Sequence, residues 1–302
     1  MTLRDFDLKE LYEQGKNISS LLRENKGLEY NDEMIIELSY DLQAGSYMAS
    51  MEDEATSAKK DDYAAELAKI FRSLGNPMSI LEAGVGEATT LSGVLKHLGI
   101  AGLDNYGFDL SWSRVACARE WLKKQKISNV TLCTGSLLNI PFADNSIDIL
   151  YTSHSIEPNG GNEEPILKEL YRVAKRFLVL LEPGYELSNT EARKRMESHG
   201  YCKNLKKFSE RLGYNVIEHK LFPFHINPMN PTALTIIEKS INSNTSNHIL
   251  ACPKYKTPLQ EIGEVLFSPA ALAVYPIVGG IPCLRIENSI IASRYTEIMK
   301  RN

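Results

Sequence analysis

An acid and two glycines close a short apolar run near residue 80, and this stretch offers the clearest chemistry in the sequence. Residues 79–83 read Ser-Ile-Leu-Glu-Ala, and Gly84, Val85 and Gly86 follow before a helical pattern begins. Glycines in such a turn remove the Cβ atoms that keep a ligand from the backbone, and the first amides of the next helix point at that ligand. The spacing predicts a strand, a tight turn and a helix that bind a nucleotide-like cofactor, with a dinucleotide among the candidates.

A second acid ends the next predicted strand. Asp109 lies within the run 105–110, 25 residues beyond Gly84. In a doubly wound sheet this spacing places a carboxylate beside the glycine turn, where it can accept hydrogen bonds from both hydroxyls of a ribose. The alternative is that Asp109 caps the helix expected over 111–124. Ribose binding is favoured because the strand and helix patterns on each side agree.

A histidine and an acid follow the fourth predicted strand. The stretch 151–161 contains Ser153, His154 and Glu157, and it lies where such a sheet exposes its strand ends to ligands. His154 can take a proton from a hydroxyl or an amine near neutral pH, and Glu157 can orient it or bind the substrate. The competing interpretation is that His154 hydrogen-bonds a loop and Glu157 caps a helix.

Alternating strand and helix patterns position these groups. Strands are predicted at 79–83, 105–110, 130–134, 147–151, 177–181, 215–221 and 233–238. The last two are joined by a loop too short for a crossover helix, so they must be antiparallel. The pattern predicts an α/β fold with a doubly wound, mostly parallel seven-stranded sheet.

The N-terminal part is helical in pattern. Helical spacing covers 6–24, Asn31 is expected to cap a second helix, and another apolar helical face runs over 63–74. Tyr47 lies between these helices. Its two interpretations are helix packing and a lid over the cofactor.

Composition narrows the possible partners and location. The 302 residues are 43% hydrophobic and 24% charged, which is typical of a globular chain with one large and one small domain. A formal net charge of −4 argues against a surface built throughout for nucleic acid. Five scattered cysteines, the lack of a signal-like segment and the lack of a long apolar run predict a cytoplasmic protein that does not enter a membrane.

Taken together, these stretches resemble the class I S-adenosylmethionine-dependent methyltransferases over roughly residues 60–238. The resemblance rests on 81–88, Asp109, the run 140–148 (Ile-Pro-Phe-Ala-Asp-Asn-Ser-Ile-Asp) and the helix carrying 170–173. The run 140–148 is the specific part, because dinucleotide dehydrogenases lack it. The resemblance implies S-adenosylmethionine as the cofactor. The residues implied or expected to bind it are Tyr47, Glu82, Gly84, Gly86, Asp109, Leu110, Ser136, Leu137 and Ser153.

By similarity, the acid and glycines of the turn would line the methionine part, Asp109 the ribose and Leu110 one face of the adenine. Two positions depart from the family. Ala88 stands where a third glycine is common. Ser136 replaces the acid that often holds the adenine amino group, so its hydroxyl or the backbone around Leu137 would take that role.

The C-terminal part resembles another known domain. Beyond an Asn- and Ser-rich linker over 239–247, residues 248–302 are similar to the small zinc-ribbon-like domain that activates some tRNA and protein methyltransferases. The four cysteine positions of that domain are here Cys252, Tyr255, Ser268 and Ala271, so four zinc ligands cannot be assembled. We expect a metal-free β-rich domain with a C-terminal helix, in which Tyr255 and Ala271 are buried beside Cys252.

The sequence patterns predict three parts: an N-terminal helical lid or extension (1–58), the S-adenosylmethionine-binding domain (59–239) and the ribbon-like domain (248–302). The leading hypothesis is a methyltransferase acting on an oxygen or nitrogen of a small molecule, with anionic molecules among the candidates. Residues 193–220 hold eight cationic side chains against three acids, which fits an anionic substrate, RNA or a solvated helix face. The alternatives are an RNA or protein methyltransferase and a non-catalytic cofactor-binding scaffold, and a homodimer is a further expectation.

Overall fold

The computed structural model describes residues 5–224, 227–240 and 248–299. Most of the predicted linker, 241–247, lies outside the described residues. Within them, an N-terminal group of helices, a seven-stranded sheet with flanking helices and a smaller antiparallel sheet follow one another along the chain. No helix in these three ranges is long and apolar enough to cross a membrane.

Five helices precede the large sheet: α1 (Asp5–Glu13), α2 (Ile18–Lys26), α3 (Glu33–Leu42), α4 (Ser46–Ser50) and α5 (Glu54–Ser73). The helical spacing across 6–24 belongs to two helices, because Gly15 adopts φ +77° and Asn17 starts α2 as its N-cap. The predicted cap at Asn31 is wrong by one residue. Asp32 caps α3 by accepting the amide of Ile35 at 2.8 Å, whereas Asn31 is buried.

The large sheet is doubly wound, as predicted. Its strands are β1 (Ser79–Ala83), β2 (Asp104–Asp109), β3 (Val130–Thr134), β4 (Ile147–Ser153), β5 (Ala174–Pro183), β6 (Asn215–Leu221) and β7 (Thr232–Glu238), in the order β3-β2-β1-β4-β5-β7-β6. β1 to β5 are parallel, and β7 is antiparallel to both β5 and β6. The flanking helices are α6 (Thr89–Leu98), α7 (Trp112–Lys124), α8 (Glu163–Val173), α9 (Thr190–Ser198) and α10 (Leu205–Arg211).

The core lies on both faces of this sheet. Leu81 and Leu150 belong to one buried cluster, while their neighbours Ile80 and Ile149 belong to the cluster on the opposite face. Strands covered on both sides by helices need apolar residues at consecutive positions, which explains the adjacent apolar residues at 80–81 of β1 and 149–150 of β4. The carboxyl ends of the parallel strands are therefore held in place by a core that is packed on both faces of the sheet.

The C-terminal part forms an antiparallel sheet of β8 (Gln260–Ile262), β9 (Val265–Ser268), β10 (Ala273–Val278), β11 (Ile281–Pro282) and β12 (Ile290–Ile291), followed by α11 (Tyr295–Met299). It docks against the β3 edge of the large sheet. Thr134 forms a parallel bridge with Cys283, and its carbonyl accepts the amide of Leu284 at 3.2 Å. Leu266 and Tyr275 join the same buried cluster as Leu81 and Leu150.

Candidate functional site

A cavity of about 460 Å³ opens at the carboxyl ends of β1, β2 and β4. All the sequence-predicted site residues except Ser136 line it: Tyr47, Glu82, Gly84, Gly86, Asp109, Leu110, Leu137, Ser153, His154 and Glu157. The topology explains this convergence, because strand order reverses between β1 and β4 and leaves a crevice above their ends.

The turn after β1 is tight and needs glycine at both Gly84 and Gly86. Gly84 has φ +76°, and a Cβ placed there would lie 2.2 Å from the Cβ of Ser155. Gly86 has φ +52°, and its Cβ would lie 2.7 Å from Nη2 of Arg114. Both glycines thus make room for side chains of this chain that pack on the turn, and both also line the cavity.

Asp109 is held beside this turn by two backbone amides. Its Oδ2 accepts the amide of Gly86 at 2.9 Å, and its Oδ1 accepts the amide of Ser111 at 3.0 Å. Ser111, not Asp109, is the N-cap of α7, since its hydroxyl accepts the amide of Arg114. The capping alternative for Asp109 is therefore wrong, and the carboxylate faces the cavity at the end of β2.

Glu82 is buried at the floor of the cavity. Burial raises its pKa to about 8, although the hydrogen bond from Tyr151 and the nearby Lys60 act in the opposite direction. The Tyr151 hydroxyl donates to Glu82 at 2.9 Å. Lys60 also lines the cavity and donates to the Thr89 hydroxyl at 3.0 Å, and burial lowers its pKa. A polar floor that carries a single amine is well suited to the carboxylate end of an amino acid.

The short helix α4 is tied to the glycine turn by Glu87. Its carboxylate accepts the amides of Gly45 at 3.0 Å, Tyr47 at 3.4 Å and Met48 at 2.7 Å. A carboxylate at a helix N-terminus satisfies amides that have no partner within the helix. Tyr47 thereby becomes part of the cavity wall.

Arg114 is a cavity residue that the sequence reasoning missed. Its guanidinium carbon lies 5.2 Å from the ring centre of Tyr40 and 4.7 Å from that of Tyr47. The side chain is 7% exposed, and its Nε has no hydrogen-bond partner. Burial lowers the pKa of this group, but the nearby Asp109, Tyr47, Tyr40 and Glu87 together raise it by more. Because α7 begins with an ordinary amphipathic pattern, no sequence signal distinguishes Arg114 from a surface arginine.

His154 and Glu157 form the pair that their spacing predicts. The Nδ1 of His154 lies 2.5 Å from Oε2 of Glu157, and its Nε2 lies 2.8 Å from the hydroxyl of Thr232. Burial lowers the pKa of His154, yet the hydrogen bond and charge of Glu157 raise it above 6.5. Burial raises the pKa of Glu157, but the hydrogen bonds and charge of its partners, His154 and Asn230 among them, lower it by more, so the pKa lies below its usual value.

The loop that carries this pair is held by an acid at the end of β5. Glu182 accepts the amides of Ser155, Ile156 and Glu157 at 3.0–3.1 Å. His154 itself adopts φ +58°, a conformation that is strained for a residue with a side chain and that is concentrated at functional sites. Ser153 is fixed by a 3.0 Å contact between its hydroxyl and that of Tyr63.

The side chain of Ser136 forms hydrogen bonds within the protein. It is 2% exposed, its hydroxyl donates to the carboxylate of Glu33, and it accepts the amide of Leu138 at 2.9 Å. Glu33, at the start of α3, lines the cavity instead. Glu33, and not Ser136, thus presents a carboxylate at this part of the cavity wall.

Several cationic side chains of the segment 193–220 have partners within this chain. Lys206 pairs with Glu210, Lys220 pairs with Glu218, and Arg211 pairs with Glu164 of α8. Arg193 donates to the carbonyls of Tyr185 and Glu186. These contacts favour the interpretation of this segment as a solvated helix face.

The surroundings of Cys252 differ from the expected ones. Tyr255 is 49% exposed, so the prediction that it fills the vacated zinc position is wrong. Tyr275 fills it, since its hydroxyl lies 3.5 Å from the sulfur of Cys252. Burial raises the pKa of the Cys252 thiol, and hydrogen bonds from Ser268, Tyr275 and nearby amides lower it by more. Ala271 is half-buried. Within the described ranges, no group of three or more His, Cys, Asp or Glu side chains could hold a metal ion.

Comparison with known proteins bears on the domain that carries this cavity. Residues 80–176 match the family described as a methyltransferase domain. A 70-residue stretch is 34% identical to demethylmenaquinone methyltransferase of Geobacillus sp. (strain WCH70) and covers 23% of this chain. It spans 30% of the length of that enzyme.

Two further likenesses concern the fold and a second segment. Magnesium protoporphyrin IX methyltransferase of Synechocystis PCC 6803, solved with S-adenosylhomocysteine, superposes with a TM-score of 0.53 at 13% identity over 69% of this chain and all of that chain. The predicted class I methyltransferase fold is thereby confirmed. A 41-residue segment is 42% identical to a UPF0434 protein of Vesicomyosocius okutanii subsp. Calyptogena okutanii (strain HA), covering 14% of this chain and 70% of that protein.

Proposed function

We propose that this chain, which carries a methyltransferase domain over residues 80–176 and belongs to the UPF0434 family over a second segment of 41 residues, is an S-adenosylmethionine-dependent methyltransferase of a small molecule. The proposed acceptor atom is an oxygen or a nitrogen. The family match supports S-adenosylmethionine as the cofactor.

The acidic lining of the cavity is the observation that carries this proposal. Five carboxylic acids line it, against one lysine and one arginine: Glu33, Glu82, Glu87, Asp109 and Glu157 against Lys60 and Arg114. Burial raises the pKa of Glu82 to about 8, so this carboxyl is mainly protonated at pH 7 and can donate as well as accept a hydrogen bond. A dinucleotide brings a doubly negative pyrophosphate and needs helix amides or cations, whereas a sulfonium cofactor brings a positive charge. An acid-rich cavity above a glycine turn therefore favours the sulfonium.

The chain's own groups suit the parts of that cofactor. Asp109 would accept the ribose hydroxyls, and Lys60 would bind the carboxylate of the methionine part beside Glu82. Tyr47, held by Glu87, would cover the site and exclude water. Bound S-adenosylmethionine supplies an electrophilic methyl group, so the protein mainly has to align the acceptor with it.

His154, Glu157 and Thr232 would remove the proton that a hydroxyl or amine acceptor loses. Thr232 lines the cavity and contacts Nε2 of His154 at 2.8 Å. In this scheme the Thr232 hydroxyl takes the acceptor proton while passing its own to Nε2, and Glu157 balances the resulting imidazolium. The raised pKa of His154 moves its titration toward neutral pH, where a general base is most effective.

Calorimetry with S-adenosylhomocysteine tests the cofactor assignment, with NADH as the comparator. We expect saturable binding of S-adenosylhomocysteine and none of NADH. Binding of NADH in its place would overturn the proposal. Release of S-adenosylhomocysteine from S-adenosylmethionine, measured over a panel of small phenols, amines and carboxylic acids, then identifies the acceptor. RNA as the productive acceptor would overturn the small-molecule part.

A further inference from the structure

The two edges of the large sheet differ in what covers them. The β3 edge is paired with the C-terminal part, where Thr134 forms a parallel bridge with Cys283. β6 lies at the other end of the strand order, and within the described residues no strand lies beyond it. An edge strand presents N–H and C=O groups that can pair with another chain. The β6 edge is therefore where this sheet can be extended.

The outward-facing backbone groups of β6 follow from its pairing with β7. Residues of an antiparallel strand alternate between pointing both backbone groups at the neighbour and pointing both away. Phe222 donates its amide to the carbonyl of Thr232 at 2.8 Å, so Phe222 points toward β7. By this alternation Lys220 also points toward β7, whereas His219 and Leu221 point their N–H and C=O groups outward.

A side-chain contact agrees with this assignment. The Nδ1 of His219 lies 2.9 Å from the hydroxyl of Thr235, its direct partner on β7. Side chains approach most closely at pairs that share no backbone hydrogen bond. His219 and Thr235 are thus such a pair, and the backbone groups of His219 are available on the outer side.

The side chains of β6 are self-complementary about His219. Glu218 and Lys220 flank it with opposite charges, and Ile217 and Leu221 are each 46% exposed. If two copies pair antiparallel about His219, Glu218 of each lies opposite Lys220 of the other, and Ile217 lies opposite Leu221. The charged pairs then occupy the positions without backbone hydrogen bonds, where cross-strand side chains are closest. Charges on an edge strand usually discourage pairing, but this order of charges makes self-pairing attractive.

Two local features define the centre and the extent of this pairing. The register with β7 shifts between Val216 and Glu218, which limits regular pairing to residues 217–221. Burial lowers the pKa of His219, although Glu186 acts in the opposite direction, so two imidazoles that meet at the centre are mainly neutral at pH 7.

We propose that β6 pairs with β6 of a second copy of this chain, antiparallel and centred on His219, so that two seven-stranded sheets join across a two-fold axis. A two-fold interface uses the same surface on both copies, which a self-complementary strand satisfies. A short strand pair buries a small area, so the dimer should be weak and dependent on concentration. This inference concerns assembly and goes beyond the proposed function.

Sedimentation velocity on the full chain over a concentration series tests this interface. The wild-type mass should rise with concentration from 33.9 kDa toward twice that value. E218K and K220E each place like charges opposite one another at two symmetry-related positions, so each should raise the dimer dissociation constant by about tenfold or more. The double variant E218K/K220E restores opposite charges and should return the constant to within about threefold of wild type. The matched control E261K changes an exposed acid on β8, at the edge of the small sheet, and should have no effect.

Amide hydrogen exchange of the wild-type chain tests the register without any substitution. The amides of His219 and Leu221 should exchange more slowly as protein concentration rises, because they gain partners across the axis. The amide of Lys220 already faces β7 and serves as the internal control. Protection that appears at Lys220 and not at its two neighbours would overturn the register.

The remaining outcomes are equally decisive. A wild-type chain that stays at 33.9 kDa at every concentration overturns the proposal. A dimer that both single reversals leave intact uses another surface, which also overturns it. Loss of the dimer in E218K and K220E without recovery in the double variant would overturn the antiparallel pairing about His219.

Discussion

The Nδ1 of His154 lies 2.5 Å from Oε2 of Glu157, in a loop whose amides are held by Glu182 at the end of β5. The pair is stabilising over a defined pH range. Glu157 has a lowered pKa, so its contribution is present above its unfolded value near 4.5 and is lost as pH falls through the folded value. His154 has a raised pKa, so its contribution is complete below its unfolded value near 6.5 and is lost as pH rises through the folded value.

The first prediction concerns the titration of His154. NMR of the imidazole should give a pKa above 6.5 in the wild-type protein, and E157Q should bring it below 6.5, because burial, the largest contribution, is then opposed only by the charge of Glu182. The control E191Q removes an exposed acid from α9 and should not move it. An unchanged pKa in E157Q would show that the pair does not form in solution.

The second prediction concerns the attachment of α4. E87Q removes the charge that three amides share, so hydrogen exchange at Gly45, Tyr47 and Met48 should become about tenfold faster. E52Q, at an exposed acid next to α4, serves as the control. Equal exchange in both variants would mean that Glu87 does not hold this helix.

The third prediction separates a clash from backbone strain. G84A should lower the free energy of unfolding by about 2 kcal/mol or more, because the new Cβ meets Ser155 at 2.2 Å. G102A has nearly the same φ, +75°, with no atom within 4 Å, and should cost about 1–2 kcal/mol from strain alone. Urea denaturation measures both, and adding S155G should rescue part of the G84A loss. Equal losses without rescue would contradict the packing role of Gly84.

The fourth prediction tests the ribose assignment. D109A should weaken binding of S-adenosylhomocysteine by about 1.5–3 kcal/mol, and it should destabilise the protein because two amides lose their acceptor. D104A changes an exposed acid at the other end of β2 and should leave the affinity unaltered. Calorimetry on folded D109A that returns wild-type affinity would refute the assignment.

The fifth prediction concerns metal content. Protein purified without chelators should contain well under one zinc per chain, and EDTA should not change its melting temperature, since Tyr275 and Ser268 hydrogen-bond the Cys252 sulfur. A structural zinc site contributes roughly 10 kcal/mol or more. Stoichiometric zinc that leaves only with loss of structure would show that its ligands were assigned wrongly.

The sequence predicts the sheet well because strands such as β5, with its run Phe177-Leu178-Val179-Leu180-Leu181, carry short apolar stretches that alternate with helical patterns along the chain. It also predicts that Glu82, Asp109 and His154 lie close together, since each lies at or directly after the carboxyl end of a parallel strand and these ends meet at one edge of the sheet. Glu33 and Arg114 escape prediction because they stand on helices whose pattern shows which face is buried but not what that face meets. The burial of Tyr255 is wrongly predicted for a related reason. Matching Tyr255 to a lost zinc ligand gives its position along the chain but not the direction of its side chain.

The docking of the C-terminal part on β3 has a consequence for synthesis. Thr134 is paired with Cys283, which leaves the ribosome 149 residues later. Until then the edge of β3 exposes backbone groups that can pair with another nascent chain. We therefore expect truncated products that end before residue 283 to aggregate cotranslationally unless a chaperone holds that edge.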